Sequence, residues 1–371
     1  MGRRRKQDGR GRLRAVALGI GAVAVLGLCA GTASPAVKHR MISVATSHKG
    51  AAQTPPRIMS LSGAPTSGAQ ASPQGLSGVP AALDQTVFHE ADDRIVYNWF
   101  TYVPSSVRKG ELTYILVAGM FAGVLPEDYG TDTESSARDM AYRIPIAQRE
   151  RYVLLTPVLP RKDGLYVASF QREVFGTSVA SFWQRPDEKV ELMIEGLIHE
   201  LRESGYMVAD KVFMEGFSAG GMFAQRYALL HPGRVQALAA GQCGGSLTLP
   251  EAYFSSTSMD WPVGLHDFSD LVGYEFDRTS YKEIPQFICI GALDTTNSNA
   301  VWRARNWKSQ EQVEFLKDAF GMQDPGRLAN MVDWLRRLGY DRIVFREYQG
   351  VGHTTTPRML DDVYAFFAAC K

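Results

Sequence analysis

The most informative stretch of the chain is KVFMEGFSAGG, residues 211–221. Its apolar first half predicts a buried strand, and Met222 to Leu230 predict a helix directly after the turn. A G-x-S-x-G sequence between a strand and a helix places its serine, Ser218, on a tight bend with the hydroxyl above the sheet. The same bend directs the N–H of Ala219 to where an oxyanion would form. An ordinary glycine-rich turn with a capping serine is the alternative.

A serine hydroxyl is a weak nucleophile, so a general base is expected later in the chain. Of the seven histidines, His353 is the best placed, because it follows the last predicted strand on the glycine-rich segment 350–354. Asp294 comes just after another predicted strand, 286–291, and is expected to hold the imidazole tautomer of His353. Ser218, Asp294 and His353 therefore follow one another in an order that favours nucleophilic catalysis by the serine.

Strand patterns alternate with helix patterns along the rest of the chain. The apolar runs that predict strands are 94–103, 112–118, 152–158, 211–215, 235–240, 286–291 and 342–348. Segments 133–149 and 186–204 predict helices, and Gly205 is a stop signal for the second. Apolar strands separated by helices indicate an α/β fold with a mostly parallel sheet covered on both faces.

Together these motifs resemble the α/β-hydrolase fold, and within it the secreted esterases similar to polyhydroxybutyrate depolymerases and feruloyl esterases. The resemblance runs from about Tyr97 to the C-terminus and includes Tyr102-Val103-Pro104, the Gly-x-x-Asp of 291–294 and Gly352-His353. It implies a mostly parallel central sheet with helices on both faces and a small aromatic-rich cap or insertion. It also implies an ester hydrolase that works through an acyl-enzyme with no metal or organic cofactor.

The resemblance also locates the second oxyanion donor. Members of this family usually have His-Gly after the third strand, whereas this chain has Val117-Ala118-Gly119-Met120-Phe121. Because the donor is a backbone N–H, Met120 can still serve beside Ala219, and Phe121 is the second choice.

The first 36 residues have the order of an export signal. Seven basic residues within 3–14 precede the apolar stretch 15–30 and the small residues 31–36. An uncleaved membrane anchor is the alternative, so the protein is expected to be secreted or tethered to the outer side of the cytoplasmic membrane. The segment 37–83 is poor in aromatic residues, which predicts a flexible linker. The catalytic domain is expected to span residues 84–371.

Composition limits the classes of function. The 371 residues are 45% apolar and 21% charged, which excludes a disordered chain. Without residues 1–36, 33 basic and 38 acidic residues remain, so the chain lacks the excess of positive charge that is typical of nucleic-acid-binding proteins. Cys243, Cys289 and Cys370 have no metal-ligand spacing; one disulfide between Cys243 and Cys370 is left open.

Two aromatic-rich insertions, 162–185 and 246–284, are expected to shape the substrate pocket at the carboxyl ends of the strands. The residues predicted to contact substrate are Phe121, Phe182, Trp183 and Trp261. Aromatic walls favour an uncharged or aromatic acyl group, in a small-molecule or polymeric ester. The alternative is that these side chains pack a cap onto the core.

Two other functions fit the same motifs. One is a serine peptidase similar to the prolyl-oligopeptidase relatives, and the other is a surface binding protein that keeps the fold without the activity. The substrate, the fate of the leader and the oligomeric state are not predicted.

Overall fold

Most of the predicted apolar runs form strands of one sheet. The computed structural model describes residues 83–119, 128–162, 170–243, 245–294, 308–322 and 324–371, and the backbone of 165–166. All of them belong to one unit, Gln70–Lys371. The leader 1–36 and nearly all of the linker 37–83 lie outside the described residues.

In chain order the strands are β1 Thr86–His89, β2 Trp99–Tyr102, β3 Leu112–Ala118, β4 Tyr152–Pro157, β5 Arg161–Lys162, β6 Leu165–Tyr166, β7 Met207–Val208, β8 Val212–Phe217, β9 Val235–Gly241, β10 Tyr253–Phe254, β11 Thr257–Ser258, β12 Gln286–Gly291 and β13 Ile343–Tyr348. The helices are α1 Tyr129–Glu150, α2 Pro186–Glu203, α3 Ala219–Leu230, α4 Phe268–Val272, α5 Arg278–Lys282, α6 Gln310–Phe320, α7 Gly326–Arg337 and α8 Pro357–Ala368.

The main sheet has the strand order β1-β2-β4-β3-β8-β9-β12-β13, with the short β7 beside the start of β3. β2 runs antiparallel to both β1 and β4, and every other pairing in this sheet is parallel. The hairpins β5–β6 and β10–β11 lie within the two insertions. The predicted α/β class with a mostly parallel sheet is confirmed.

Helices cover both faces of this sheet. On one face α2, α3, α6 and α7 contribute to a large apolar core, and on the other face α1 and α8 contribute to a smaller one. All six residues of β4, of β8 and of β12 are buried. Burial on both faces explains why these strands read as continuous apolar runs rather than alternating ones.

Two predicted boundaries move because of a local hydrogen bond to an aspartate. The predicted strand 94–103 is a strand only over Trp99–Tyr102, because Asp92 Oδ1 accepts from the N–H of Ile95 at 2.6 Å and closes a turn. The predicted helix 133–149 begins earlier, at Tyr129, because Asp128 caps it by accepting from Thr131 N at 2.8 Å.

The disulfide left open by the sequence is not formed. Cys243 and Cys289 are buried free thiols and Cys370 is a half-buried one. Cys243 belongs to the core on one face of the sheet and Cys370 packs against the core on the other, so the sheet separates them.

Two kinds of feature are absent from the described part of the chain. None of its helices is long and apolar enough to cross a bilayer. Its His, Cys, Asp and Glu side chains form no group of three that could hold a metal ion.

Candidate active site

Ser218 directly follows β8 and precedes α3; its backbone is strained, at φ 57° and ψ −118°, and its side chain makes no capping hydrogen bond to the helix. Such a conformation costs a residue with a side chain about 1–3 kcal/mol and persists only when its surroundings enforce it. Two hydrogen bonds enforce it here, because Ser218 N donates to Gly241 O of β9 at 2.8 Å and Met222 N donates to Ser218 O at 3.1 Å. The predicted strand-to-helix bend is therefore present.

Glycines allow this bend to pack closely. A Cβ on Gly216 would lie 2.7 Å from Gly221 N and closer still to the carbonyl group of Gly220. A Cβ on Gly221 would lie 2.7 Å from Gly241 O and 3.2 Å from the Cβ of Cys243. The start of α3 thus lies directly against the ends of β8 and β9, and only glycine fits at both positions.

His353 follows β13, and its Nε2 lies 3.1 Å from Ser218 Oγ. Its side chain is 40% exposed. The loop that carries it is held by Gln242, which follows β9 and donates from Nε2 to Gly352 O at 2.8 Å. Sequence analysis did not identify Gln242. Its position just after a predicted strand could have marked it, because residues at the carboxyl ends of parallel strands commonly contribute to ligand sites.

Asp294 follows β12, and its Oδ2 lies 2.8 Å from His353 Nδ1. Its side chain is 3% exposed. The loops after β12 and β13 are joined by backbone bonds, since Leu293 N donates to Val351 O at 2.8 Å. Neutral imidazole has one N–H, and a carboxylate at Nδ1 directs that hydrogen toward itself, which leaves Nε2 free to accept from a hydroxyl.

The first predicted oxyanion donor, Ala219, occupies the first position of α3, where a backbone N–H has no acceptor within the helix. Gly119 lies against the same turn, because a Cβ added to it would be 3.0 Å from the Cα of Gly220. Met120 and Phe121 come next in the chain but lie outside the described residues, so the second donor and the substrate contact of Phe121 stay predictions.

Phe182 and Trp183 lie in a 3-10 turn of the first insertion and are half-buried against the larger core. The Phe182 ring meets Tyr97 edge-on at 5.1 Å, and the Phe182 carbonyl accepts from Tyr97 Oη at 2.6 Å. These contacts attach the insertion to the core, and the substrate role of both residues stays a prediction.

Trp261 packs between the two insertions, and its substrate contact stays a prediction. It is 2% exposed, and its indole N–H donates to Phe170 O of the first insertion at 2.6 Å. Arg172 and Asp267 form a further ion pair between the two insertions. For Trp261 the alternative reading, packing within a cap, is the one the contacts support.

Two charged side chains that sequence analysis did not identify, Arg226 and Lys308, are buried in the structure. Arg226 of α3 donates from Nε to Thr248 Oγ1 at 2.9 Å. Burial, together with the neighbouring Arg226 and Arg327, lowers the pKa of Lys308 well below its ordinary value. Burial also raises the pKa of the Cys243 thiol to about 12. Charged side chains are seldom fully buried, so only the tertiary structure shows that Arg226 and Lys308 lie inside.

No family model matches the chain. No curated protein matches it either.

Solved structures do resemble this one. A poly(aspartic acid) hydrolase from Sphingomonas sp. KT-1 superimposes with a TM-score of 0.53 at 17% identity, covering 76% of this chain and 97% of the other. A poly(3-hydroxybutyrate) depolymerase from Bordetella parapertussis has a TM-score of 0.48 at 18% identity, with coverage of 72% and 84%. An S-formylglutathione hydrolase from Agrobacterium tumefaciens has a TM-score of 0.42 at 14% identity, with coverage of 76% and 94%. With the strand order above, the first of these likenesses shows that the chain has the α/β-hydrolase fold.

Proposed function

We propose that the protein is an exported serine hydrolase that cleaves carboxylic esters through an acyl-enzyme. The observation that carries this proposal is the pair of contacts from His353, 3.1 Å to Ser218 Oγ and 2.8 Å to Asp294 Oδ2. The strained backbone of Ser218 supports it independently, since strain of this kind concentrates at functional positions.

The chemistry needs only groups of the chain. Ser218 Oγ attacks the ester carbonyl carbon while His353 Nε2 takes the hydroxyl proton, and Asp294 stabilises the imidazolium through Nδ1–H. The N–H groups of Ala219 and Met120 hold the oxyanion. The C–O bond then breaks and the imidazolium protonates the leaving alcohol. Water attacks the acyl-enzyme by the same sequence of steps, which releases the acid and restores Ser218.

We propose an ester with an uncharged or aromatic acyl group as substrate, either a small molecule or a polymer. Phe121, Phe182 and Trp183 are the proposed contacts. The proposal of export rests on the basic residues that precede an apolar stretch within 1–36. If this segment is not cleaved, it would instead tether the protein to the outer side of the membrane.

Amide hydrolysis is the second candidate. The likeness to the poly(aspartic acid) hydrolase favours including it, because poly(aspartic acid) is joined by amide bonds. Both reactions pass through an acyl-enzyme, so the same three side chains would serve. Peptide amides and poly(aspartic acid) therefore belong beside esters in any substrate panel.

The test is hydrolysis of p-nitrophenyl esters with acyl chains from about two to twelve carbons, because each methylene that fits a pocket changes the rate measurably. We expect turnover with a chain-length optimum in the leader-free protein, loss of that turnover in Ser218→Ala, and no change in Ser105→Ala, whose serine is exposed.

Other results would redirect the proposal. Turnover that survives in Ser218→Ala contradicts the role of this serine. Cleavage of peptide amides or poly(aspartic acid) in preference to every ester favours the second candidate. If neither esters nor amides are cleaved and a reactive phosphonate fails to label Ser218, the hydrolase proposal is wrong and a binding protein on this fold is favoured.

A further inference from the structure

Gln242, the residue that follows β9, has an arrangement that is costly for a glutamine. It is 1% exposed, and its backbone lies in the left-handed region at φ 44°, which glycine adopts readily and other residues rarely do. Its side-chain oxygen Oε1 is buried and has no hydrogen-bond partner among the residues that the structure describes. A glycine would avoid both the strain and the unpaired oxygen, so the presence of a glutamine needs an explanation.

The amide nitrogen of Gln242 acts on the residue before the proposed general base. Its Nε2 donates to Gly352 O at 2.8 Å. This carbonyl belongs to the same peptide unit as the N–H of His353, and a peptide unit is planar and rigid. The hydrogen bond therefore orients the backbone that carries the imidazole.

Such a restraint matters because the loop after β13 contains two glycines close to His353. A Cβ on Gly350 or on Gly352 would meet nothing within 4 Å, so neither residue is confined by close packing. Thr354 N also donates to Gly352 O, at 2.9 Å, but that bond lies within the loop itself. The bond from Gln242 instead ties the loop to the buried end of a strand, which removes conformations that a glycine-rich loop would otherwise visit.

The same end of β9 also holds the turn of the proposed nucleophile. Gly241 O accepts from Ser218 N at 2.8 Å, and Gln242 N donates to Cys289 O of β12 at 2.7 Å. Two adjacent residues, anchored on the neighbouring strand, thus bond to the turn of Ser218 and to the loop of His353. The 3.1 Å between Ser218 Oγ and His353 Nε2 depends on this strand end.

We propose that Gln242 is a positioning residue, which holds the imidazole of His353 at hydrogen-bond distance from Ser218 through its bond to Gly352 O. The inference rests on the proposed function for its effect on the rate of hydrolysis. Its effect on the imidazole needs no activity, because the contact of 2.8 Å between His353 Nδ1 and Asp294 Oδ2 is present in the free protein.

The experiment compares Gln242→Met with wild type. Methionine is about as long as glutamine, and it lacks both the N–H donors and the unpaired oxygen. Gln236→Met is the matched control, because Gln236 lies near the start of the same strand and donates from Nε2 to the backbone Cys370 O at 2.7 Å. Gln242→Glu, which keeps the size without the N–H donors, is a second variant in case the methionine variant does not fold.

Acylation and deacylation both need His353 at Ser218. We therefore expect kcat and kcat/KM for a p-nitrophenyl ester to fall together in Gln242→Met, by about 10- to 100-fold, with KM changed less than about 2-fold. In Gln236→Met both constants should stay within about 2-fold of wild type. Unchanged constants in Gln242→Met, a rise in KM alone, or equal losses in both variants would overturn the proposal.

A second measurement needs no substrate. NMR of protein labelled with 15N-histidine, near pH 8, reports which ring nitrogen of neutral His353 carries the hydrogen, and His353→Gln identifies the signal. We expect the hydrogen on Nδ1, facing Asp294, in wild type and Gln236→Met, and a larger share on Nε2 in Gln242→Met. If wild type cleaves no ester, the proposed function fails. The tautomer then decides this inference, because a shift confined to Gln242→Met supports it and an unchanged tautomer rejects it.

Discussion

Gly216 shows how tightly the backbone is packed two residues before Ser218. A methyl group there would overlap the carbonyl group of Gly220 and lie 2.7 Å from Gly221 N, so α3 would have to move away from β8. We expect Gly216→Ala to lose about 1–3 kcal/mol of unfolding free energy. We also expect hydrolysis to fall at least about 100-fold, because Ser218, the proposed nucleophile, shifts relative to His353. Chemical denaturation and ester turnover measure the two effects.

Gly233 is the matched control for this change. It is exposed and a Cβ there would meet nothing within 4 Å, so Gly233→Ala is expected to leave turnover unchanged. Its unfolding free energy should stay the same or rise by about 0.4–1 kcal/mol, through the stiffer unfolded chain. Equal losses in both variants would mean that the close approach at Gly216 has no special importance.

At the scale of elements, β8 is joined to helices on one face of the sheet by a buried ion pair. Arg143 of α1 donates to both carboxylate oxygens of Glu215, from Nε at 2.6 Å and from Nη2 at 3.3 Å, and Tyr364 Oη of α8 donates at 3.0 Å. Burial alone would lower the pKa of Arg143, but the carboxylate of Glu215 raises it above its ordinary value. Arg143 therefore stays charged inside the protein.

Removal of one charge from such a pair leaves the other buried without compensation. We expect Glu215→Gln to lose about 3–5 kcal/mol of unfolding free energy in urea denaturation. Glu347→Gln is the control, because Glu347 is an exposed residue of β13, and its change should stay within about 0.5 kcal/mol. A Glu215→Gln protein as stable as the control would show that the pair contributes little to holding α1 and α8 on the sheet.

The elements also show what sequence analysis can and cannot give. The predicted ranges of β3 and β12 are the observed ones, and the helix predicted over 186–204 ends only one residue earlier. These predictions succeed because apolar runs, a proline at a helix start and a glycine after a helix end are local signals. Strand β1, the two-residue strands and helices α4 to α8 were not predicted. Hairpins this short carry too few residues to show a period.

The same distinction holds for the site. The predicted roles of Ser218, Asp294 and His353 rested on motifs at the ends of single strands, and the structure brings their side chains within hydrogen-bond distance. The hydrogen bond from Gln242 to Gly352 joins segments far apart in the chain. Such contacts depend on how loops from different strands meet, which one sequence without its fold does not specify.

For the whole molecule, the carboxylate of Asp324 should cost stability in a pH-dependent way, because its side chain, in the loop between α6 and α7, is only 4% exposed. Its pKa is raised to about 6 by burial, against 3.8 for an ordinary aspartate, so the folded state retains a proton that the unfolded state loses. Linkage then requires the unfolding free energy to fall as pH rises between these two values, by about 3 kcal/mol at most, and to stay lowered above them. An amide has no such titration.

Asp324→Asn is therefore expected to be more stable than wild type near pH 8 and equally stable near pH 4, by denaturation in urea at both values. Asp318→Asn should match wild type at both, since that side chain is exposed. A variant that is destabilised to the same extent at both pH values would contradict the assignment of a charge cost.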